Sequence, residues 1–391
     1  MKLATRIHRI SESPTLAVNA KANAMKAAGI DVIDFSAGEP DFPTPENVKQ
    51  KGIEAIQTNF TKYTASAGIK RLRESIAKKY QQKYGYPFNW NEVILSNGGK
   101  QALFNLMFSL LEPGDEVLIP SPYWVTFPEQ VELAGAISVF VPTNSEDGFQ
   151  LHIAEVERRI TPKTRMLILN SPNNPSGAVI PHKTMAALIQ ICRSRNISII
   201  FDECYDCFVF PPSSHSSPFQ FFPEAREISF VVNTFSKAYS MTGWRLGFAI
   251  GPAEVIAACD KLQGHVTSNP SSLSQWAAVE AIEGNQQALQ TMFDEYLRRR
   301  KFIHEALGAM PHVRCNEPQG AFYAFPDISK HLNSSTPTSV AFCEQLLDQC
   351  HVGTVPGSAF GVEGHIRISY ATSMEKLKEG CRRLHEHLSK R

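Results

Sequence analysis

The hydrophobic pattern between about residues 90 and 250 alternates between two kinds of segment. Short apolar or β-branched runs predict strands, and longer stretches with apolar residues three and four positions apart, such as Gln101–Leu111 and Lys183–Ser194, predict helices. The strand-like runs are Val93–Leu95, Glu116–Pro120, Ile137–Val141, Arg165–Asn170, Ile197–Phe201 and Ile228–Asn233. Strands that alternate with helices predict an α/β domain with a mostly parallel sheet covered on both faces.

The last third of the chain has a different pattern. A long, charge-rich helical pattern runs from about Ser274 to Leu307, and the segments Gly320–Phe325 and His365–Tyr370 alternate like strands. Helical patterns lie between and after these segments. This order predicts a smaller α+β unit, and we expect the N-terminal segment to pack with it.

Composition narrows the possible partners. Of the 391 residues, 43% are hydrophobic and 20% are charged, which is typical of a soluble protein with room for two packed units. The net charge of +1 gives no reason to expect nucleic acid or an anionic membrane as a partner, and no apolar run approaches the roughly 20 residues that span a bilayer. The first residues lack the apolar stretch of a secretory signal, so we expect a cytoplasmic protein.

The eight cysteines are scattered, as expected of reduced thiols rather than of a disulfide framework. Cys204 and Cys207 have the spacing of a redox pair or of half a zinc site. A structural zinc site would need a second such pair, and the sequence has none. We therefore predict no metal site.

Residues 233–247 form the most informative segment, Asn-Thr-Phe-Ser-Lys-Ala-Tyr-Ser-Met-Thr-Gly-Trp-Arg-Leu-Gly. Lys237 lies between the hydroxyls of Thr234 and Ser236, and Arg245 follows eight positions later. Nearby positive charge and partial burial lower the pKa of an amine, as an imine-forming lysine needs. Hydroxyls and an arginine suit a phosphate, so the four groups together indicate pyridoxal phosphate, an aldehyde cofactor that carries one. A solvated surface loop is the alternative.

Other polar residues follow predicted strands at the same edge of the sheet, where parallel sheets bind their ligands. Gly99 and Lys100 follow the first strand, Asn174 the fourth, Asp202 the fifth and Lys237 the sixth. Glycines at a helix N-terminus let a phosphate approach free N–H groups. Separate motifs that meet at one edge predict a single site.

A carboxylate such as Asp202, placed after a buried strand, needs a partner or it takes up a proton. A protonated pyridine nitrogen is a suitable partner, and Tyr205 and Asn174 are placed to donate to the ring oxygen of the same cofactor. Trp124 is placed to stack on a flat heteroaromatic ring. The alternatives are a helix cap for Asp202 and a core position for Trp124.

Arg367 stands between Ile366 and Ile368 in a strand-like run, so its side chain faces away from theirs. An arginine with apolar neighbours generally has an anion as its partner. The α-carboxylate of a substrate and the carboxylate of a structural ion pair both satisfy that need.

Six segments follow one another in a particular order: Ser36-Ala-Gly-Glu-Pro-Asp-Phe42, Ser121-Pro-Tyr-Trp124, Asn170-Ser-Pro-Asn-Asn-Pro-Ser-Gly177, Asp202-Glu-Cys-Tyr205, Ser236-Lys237 through Gly247, and Ile366-Arg-Ile-Ser-Tyr-Ala371. Together they resemble the class I pyridoxal-phosphate aminotransferases, most closely the bacterial type of aspartate aminotransferase. The resemblance implies the PLP-dependent transferase fold type I and a homodimer with shared active sites. It also implies a large cofactor domain over residues 47–285 and a small domain made of residues 1–46 and 286–391.

The resemblance implies a role for each matching residue. On the cofactor ring, Lys237 carries the imine, Asp202 holds the pyridine nitrogen, Asn174 and Tyr205 hold the ring oxygen, and Trp124 stacks on the ring. The cofactor phosphate is bound by Gly99, Lys100, Thr234, Ser236 and Arg245, and by Tyr63 of the neighbouring subunit. The substrate is bound by Gly38, Trp124, Asn174 and Arg367 at its α-carboxylate end, and by Thr15 and Lys100 at a distal carboxylate. Cys204 departs from the aliphatic residue common in the family, and we expect only a packing change from it.

The implied activity is transfer of an amino group from L-aspartate to 2-oxoglutarate in a ping-pong cycle, with Lys237 as general acid and base. The alternatives with the same chemistry are alanine, aromatic or kynurenine transamination and a combined aspartate/prephenate activity. Glu12 stands where relatives that accept prephenate carry a basic residue, which disfavours prephenate. Thr15 and Lys100 fit a dicarboxylic donor and disfavour C–S lyase action. A transcription regulator would need about 70 residues of winged helix before the motifs, which here begin by residue 36.

Overall fold

The computed structural model describes residues 3–11 and 14–390, except for the side chains of residues 14–17 and 19. The α-helices are α1 Pro14–Ala27, α2 Glu46–Gln57, α3 Lys70–Tyr84, α4 Gly99–Leu110, α5 Thr126–Leu133, α6 Ile153–Glu157, α7 His182–Ser194, α8 Phe235–Ala238, α9 Ala253–Val266, α10 Ser272–Glu283, α11 Gln287–Gly308, α12 Ser339–Gln345 and α13 Met374–Leu388. The strands are β1 Ile33–Asp34, β2 Val93–Ser96, β3 Glu116–Ser121, β4 Ile137–Pro142, β5 Thr164–Asn170, β6 Ser198–Asp202, β7 Ser229–Thr234, β8 Gly247–Ile250, β9 Tyr323–Ala324, β10 Val352–Gly353, β11 Val355–Pro356 and β12 Ile366–Ser369.

Seven strands form the large sheet, in the order β2-β8-β7-β6-β5-β3-β4. Only β8 pairs antiparallel with its neighbours, so the prediction of a mostly parallel sheet is confirmed. The sequence pattern does not predict β8, because this buried strand is short and begins with a glycine. Gly247 packs on the turn before α4, where a Cβ would lie 2.4 Å from the backbone nitrogen of Gly99.

Apolar side chains of the sheet alternate between two cores, one on each face. Val117 and Ile119 of β3 pack with Leu106 of α4 in one core. Leu118, between them in sequence, packs in the other core with residues of α3 and α7 such as Leu72 and Leu188. The sheet is therefore covered by helices on both faces, as its apolar strands require.

The two ends of the chain meet in a smaller structure. Strands β11, β12 and β9 form an antiparallel sheet with β12 in the centre, and β1 pairs in parallel with β10. The carbonyl oxygen of Phe35 also accepts the Ser369 N–H at 2.8 Å. The predicted domain boundaries at residues 46 and 285 are not tested by these contacts and stay a prediction.

The single long helix predicted from Ser274 to Leu307 is wrong, because two helices, α10 and α11, occupy this stretch. Gly284 is extended, with φ −80° and ψ −169°, and ends α10. The Asn285 side chain then accepts the Gln287 N–H at 2.7 Å, at the first residue of α11. The helical periodicity continues across the break, which is why the pattern alone predicts one helix.

None of the helices within residues 3–11 and 14–390 has both the length and the apolar character needed to cross a bilayer.

Candidate active site

A cavity of about 760 Å³ opens at the carboxyl ends of β5, β6 and β7 and faces β9 and β12. Its lining contains most of the residues predicted from the sequence: Gly38, Gly99, Lys100, Trp124, Asn174, Asp202, Tyr205, Thr234, Ser236, Lys237, Arg245 and Arg367. The topology explains the convergence, because the carboxyl ends of parallel strands lie at one edge of the sheet.

Lys237 lies in α8, a single turn that directly follows β7 and has Thr234 as its N-cap. Its Nζ donates a hydrogen bond to the carbonyl oxygen of Gly38 at 2.5 Å. Burial lowers the pKa of this amine, and the guanidinium groups of Arg367 and Arg245 lower it further against the opposing effect of nearby acidic groups. The amine is thus directed into the cavity and shifted toward its neutral, nucleophilic form.

Asp202 is the last residue of β6, and its carboxylate lines the cavity. Its Oδ1 accepts the Cys204 N–H at 3.1 Å, and burial raises the pKa of Asp202 to about 6. Residues 204–207 form a turn and not a helix, so Asp202 does not cap a helix there. Within the described chain, the hydrogen bond to the Cys204 N–H is its only contact of the kind a cap would make.

Hydroxyl groups and a guanidinium group lie beside the N-terminus of α4. The hydroxyls of Thr234 and Ser236 are 2.8 Å apart, and both residues are buried, which rules out a solvated surface loop at this point. The Arg245 guanidinium packs so closely on Gly98 that a Cβ there would lie 2.5 Å from Nη2. Hydroxyls, a guanidinium and free helix N–H groups together suit a phosphate dianion.

Lys100, in the first turn of α4, lies beside Trp124 in the cavity lining. The Lys100 Nζ is 5.2 Å from the centre of the Trp124 ring. Burial lowers the pKa of Lys100, and Arg245 lowers it further. Trp124 meets the Phe127 ring edge to face but also lines the cavity, so the core alternative accounts for only part of its surface.

Arg367 is buried at the far end of the cavity. Its Nη1 donates to Asn174 Oδ1 at 3.0 Å and its Nη2 to the Ser36 carbonyl oxygen at 2.7 Å, while its Nε has no partner among the described residues. Both acceptors are neutral, so these contacts do not support the alternative of a structural ion pair. A buried guanidinium with only neutral partners favours a carboxylate ligand.

Tyr323 of β9 is a cavity residue that the sequence pattern does not predict. Its hydroxyl is 2.9 Å from the Tyr205 hydroxyl, and its ring lies under the Arg367 guanidinium at 4.6 Å. The alternation over Gly320–Phe325 predicts a strand but does not say which face meets the site. A hydroxyl-bearing ring on the face opposite Phe322 is the only sequence signal for it.

Comparison with known proteins agrees with this geometry. The family model described as aminotransferase class I and II matches residues 30–384. The chain belongs to this family.

Individual relatives match this aminotransferase over nearly its whole length. It is 42% identical over 388 residues to the probable aspartate/prephenate aminotransferase of Aquifex aeolicus, covering 99% of this chain and 98% of the relative. It is 40% identical over 392 residues to the aspartate aminotransferase of Geobacillus stearothermophilus, covering 100% of both. The structure of the Thermus thermophilus aspartate aminotransferase with maleate matches with a TM-score of 0.93 and 40% identity, covering 99% of each chain. The predictions of the family, of the fold type and of an aminotransferase are thereby confirmed.

Two predicted site residues of this aminotransferase are not placed in the cavity. Tyr63 is 91% exposed and does not line the cavity of its own chain. Thr15 belongs to α1, but its side chain lies outside the described part of the structure. Both roles stay predictions.

Proposed function

We propose that this chain is an aspartate aminotransferase that uses pyridoxal phosphate and transfers the amino group of L-aspartate to 2-oxoglutarate. The observation that carries the proposal is the partly buried amine of Lys237, which shares one cavity with the buried carboxylate of Asp202 and the buried guanidinium of Arg367. These three groups support bonding to a carbonyl carbon, pairing with a pyridine nitrogen and binding an α-carboxylate.

The residues present fit pyridoxal phosphate. Thr234, Ser236, Arg245 and the N-terminus of α4 at Gly99 suit its phosphate by charge and by hydrogen bonding. Asn174 and Tyr205 suit its ring oxygen, Asp202 its ring nitrogen and Trp124 the face of its ring. When bound, the cofactor supplies an aldehyde that bonds to amines and a ring that withdraws electrons.

Lys237 has two tasks in this proposal. Because burial lowers its pKa, more of its amine is in the neutral, nucleophilic form than in a free lysine. With the cofactor and an amino acid in the cavity, the same amine would act as general base and general acid, taking a proton from the substrate Cα and returning it to another carbon.

The two ends of the cavity support a dicarboxylic substrate. Arg367 takes the α-carboxylate, with Asn174 and the Gly38 backbone beside it. Lys100 also lines the cavity, beside Trp124, and supplies a cation for the distal carboxylate. Ser11 also lines the cavity.

The named relatives support the same substrate class. The Geobacillus relative is named an aspartate aminotransferase, and the Thermus enzyme is described with maleate, a dicarboxylate. The Aquifex relative is named an aspartate/prephenate enzyme, which makes prephenate the second candidate acceptor. Glu12, an acid close before Thr15, is the sequence feature that disfavours prephenate here.

A substrate panel tests the proposal. The enzyme is saturated with cofactor and assayed with aspartate, alanine, phenylalanine and kynurenine as donors, and with 2-oxoglutarate and prephenate as acceptors. We expect the highest kcat/KM for aspartate with 2-oxoglutarate. Faster turnover of an aromatic donor would move the assignment to an aromatic aminotransferase.

Lys100→Ala is expected to lower kcat/KM for aspartate about ten- to a hundredfold while changing kcat/KM for alanine little. A charge-assisted contact contributes about 1.5–3 kcal/mol to binding. The substrate alanine has no distal carboxylate, so it makes no such contact and loses none in the variant. Lys163→Ala, at an exposed lysine, is the control and should leave both donors unchanged. Equal losses for both donors would assign Lys100 to the phosphate turn instead.

We also propose a homodimer in which Tyr63 serves the phosphate of the partner's site. The ring of Tyr63 stands almost fully exposed on the single chain, near the exposed apolar side chains of Ile53 and Ile56 in sequence. A second copy would cover such a surface and give the phenol hydroxyl an acceptor.

Subunit mixing tests this arrangement. Tyr63→Ala and Lys237→Ala, each inactive at limiting cofactor, should regain activity when mixed, because each mixed dimer holds one site with both native residues. Mixing the Tyr63→Ala, Lys237→Ala double variant with wild type should give no such gain, because neither mixed site is complete. Full activity of a monomer at high dilution would contradict the shared site.

We also propose the domain boundaries and the cellular location of the enzyme. We place the small domain at residues 1–46 and 286–391, because the pairing of β1 with β10 supports a domain built from both chain ends. All eight cysteines are free, which supports a cytoplasmic location.

A further inference from the structure

A cluster of polar side chains, buried at Tyr80, Glu203 and Asn233, lies on the face of the sheet opposite the cavity. We call it the Glu203 cluster, and it consists of Tyr80, Lys83, Glu203, Asp206, His215 and Asn233. Glu203 follows Asp202 directly at the end of β6, so successive side chains point to opposite faces. The Glu203 side chain is completely buried, and a buried carboxylate requires donors for both oxygens.

Both carboxylate oxygens of Glu203 have a donor. Oε1 accepts the hydroxyl of Tyr80, from α3, at 2.5 Å. Oε2 lies 2.9 Å from Nε2 of His215, and since a carboxylate only accepts, Nε2 carries the hydrogen. Nδ1 of His215 has no partner in the described part of the chain.

Asn233 connects this cluster to the proposed phosphate site. Its Nδ2 donates to the Tyr80 hydroxyl at 3.2 Å and to Asp206 Oδ1 at 3.3 Å. Its Oδ1 accepts the N–H of Thr234 at 2.7 Å. The cluster therefore reaches the backbone of one cavity residue, Thr234, and adjoins another, Asp202.

Glu203, Asp206 and His215 lie close enough together to suggest a metal site. The Lys83 ammonium, however, lies 2.7 Å from Asp206 Oδ2 and already neutralises that carboxylate. Lys79 adds a second positive charge near Asp206. A divalent cation would meet both ammonium groups, so we assign the cluster no metal.

Charge on Glu203 acts on Asp202 across the sheet. Burial is the main cause of the raised pKa of Asp202, and the negative charge of Glu203 adds to it. The groups that face His215 and Glu203 are Tyr80, Lys83 and Tyr84 of α3, Phe201 and Asp206. Lys79 of α3 faces Asp206.

We propose that Glu203 is a positioning residue that sets the electrostatic potential at Asp202 and hence at the cofactor ring. The inference rests on the proposed pyridoxal phosphate site. The Glu203 carboxylate makes the ring environment more negative, and Tyr80 and His215 hold it in place by donating to its two oxygens.

The test is a pH titration of the visible absorbance band of the holoenzyme, which needs no turnover. A nearby negative charge favours the protonated form of the bound cofactor, and a positive charge disfavours it. Glu203→Gln should therefore lower the midpoint by about 0.5 to 1 pH unit, the size expected for a unit charge across one layer of the sheet.

Three controls make the result specific. Glu203→Asp restores the charge and should return the midpoint toward wild type. Glu227→Gln, at an exposed carboxylate, should not move it. Tyr80→Phe removes a neutral donor from Glu203 and no charge, so it should lower the thermal midpoint of the holoenzyme and shift the absorbance midpoint less than Glu203→Gln does.

A lower midpoint in Glu203→Gln that Glu203→Asp reverses supports the proposal, and an unchanged midpoint in the folded Glu203→Gln holoenzyme overturns it. If Glu203→Gln does not fold, Glu203→Met, which is neutral and similar in size, is measured in its place, and an unchanged midpoint there overturns the proposal. A wild-type protein that shows no titrating band would instead contradict the cofactor site itself.

Discussion

Replacing Lys237 with alanine is expected to lower kcat with every amino donor by about 10⁴-fold or more. A general acid and base alone contributes about 10²- to 10⁴-fold, and the variant also loses the bond between the chain and the cofactor. The Lys237 amine lines the cavity and lies 2.5 Å from the Gly38 carbonyl oxygen, and alanine places no basic group at that position.

Borohydride reduction followed by peptide mapping provides the measurement for this residue. In wild type, the reduced adduct should map to Lys237, and in the alanine variant it should disappear. Lys261→Ala, at an exposed lysine, should keep the adduct and the activity. An adduct that maps to another lysine would overturn the assignment.

Replacing Asp202 with asparagine is expected to lower kcat by about 10²- to 10³-fold, since a neutral amide pairs poorly with a protonated pyridine nitrogen. The same substitution is expected to stabilise the cofactor-free protein at neutral pH. Both effects arise because the Asp202 carboxylate is buried. Its burial lowers the stability of the cofactor-free protein and places the charge where the cofactor would bind.

The pH dependence of the second effect follows from the pKa of Asp202, which burial raises from 3.8 to about 6. Because the folded pKa lies above the unfolded one, stability from this carboxyl is fully present below about pH 4 and is lost as the pH rises through about 6. At about 1.4 kcal/mol per pKa unit, the loss above pH 6 is about 3 kcal/mol.

Urea unfolding of the two cofactor-free proteins measures this difference. The free energy of unfolding of Asp202→Asn should equal that of wild type near pH 4 and exceed it by about 3 kcal/mol at pH 7.5. A constant difference between the two proteins over this pH range would show that burial does not shift the carboxyl.

The predicted site residues follow from one topological rule, and the structure shows why it works. Asp202 ends a strand, Asn174 and Lys237 each lie shortly after one, and parallel strands end at the same edge. Residues contributed by other elements have no such rule. Tyr323 reaches the cavity from the smaller sheet, and its alternating segment does not say which face meets the site.

Fold features that depend on local backbone conformation could not be predicted from the hydrophobic pattern either. The break between α10 and α11 depends on the extended backbone of Gly284, which a helical periodicity does not register. The antiparallel strand β8 depends on how closely Gly247 approaches the turn before α4. The Glu203 cluster depends on the packing of α3 under the sheet, which no local motif encodes.

One half-reaction distinguishes an aspartate aminotransferase from an enzyme with another substrate or another reaction. The holoenzyme is mixed with L-aspartate in the absence of any 2-oxo acid, and the cofactor absorbance and the released products are followed together. We expect one equivalent of oxaloacetate per site, with conversion of the cofactor to its amine form and no further turnover until 2-oxoglutarate is added. Continuous release of ammonia or of a product other than oxaloacetate, without 2-oxoglutarate, would contradict this expectation.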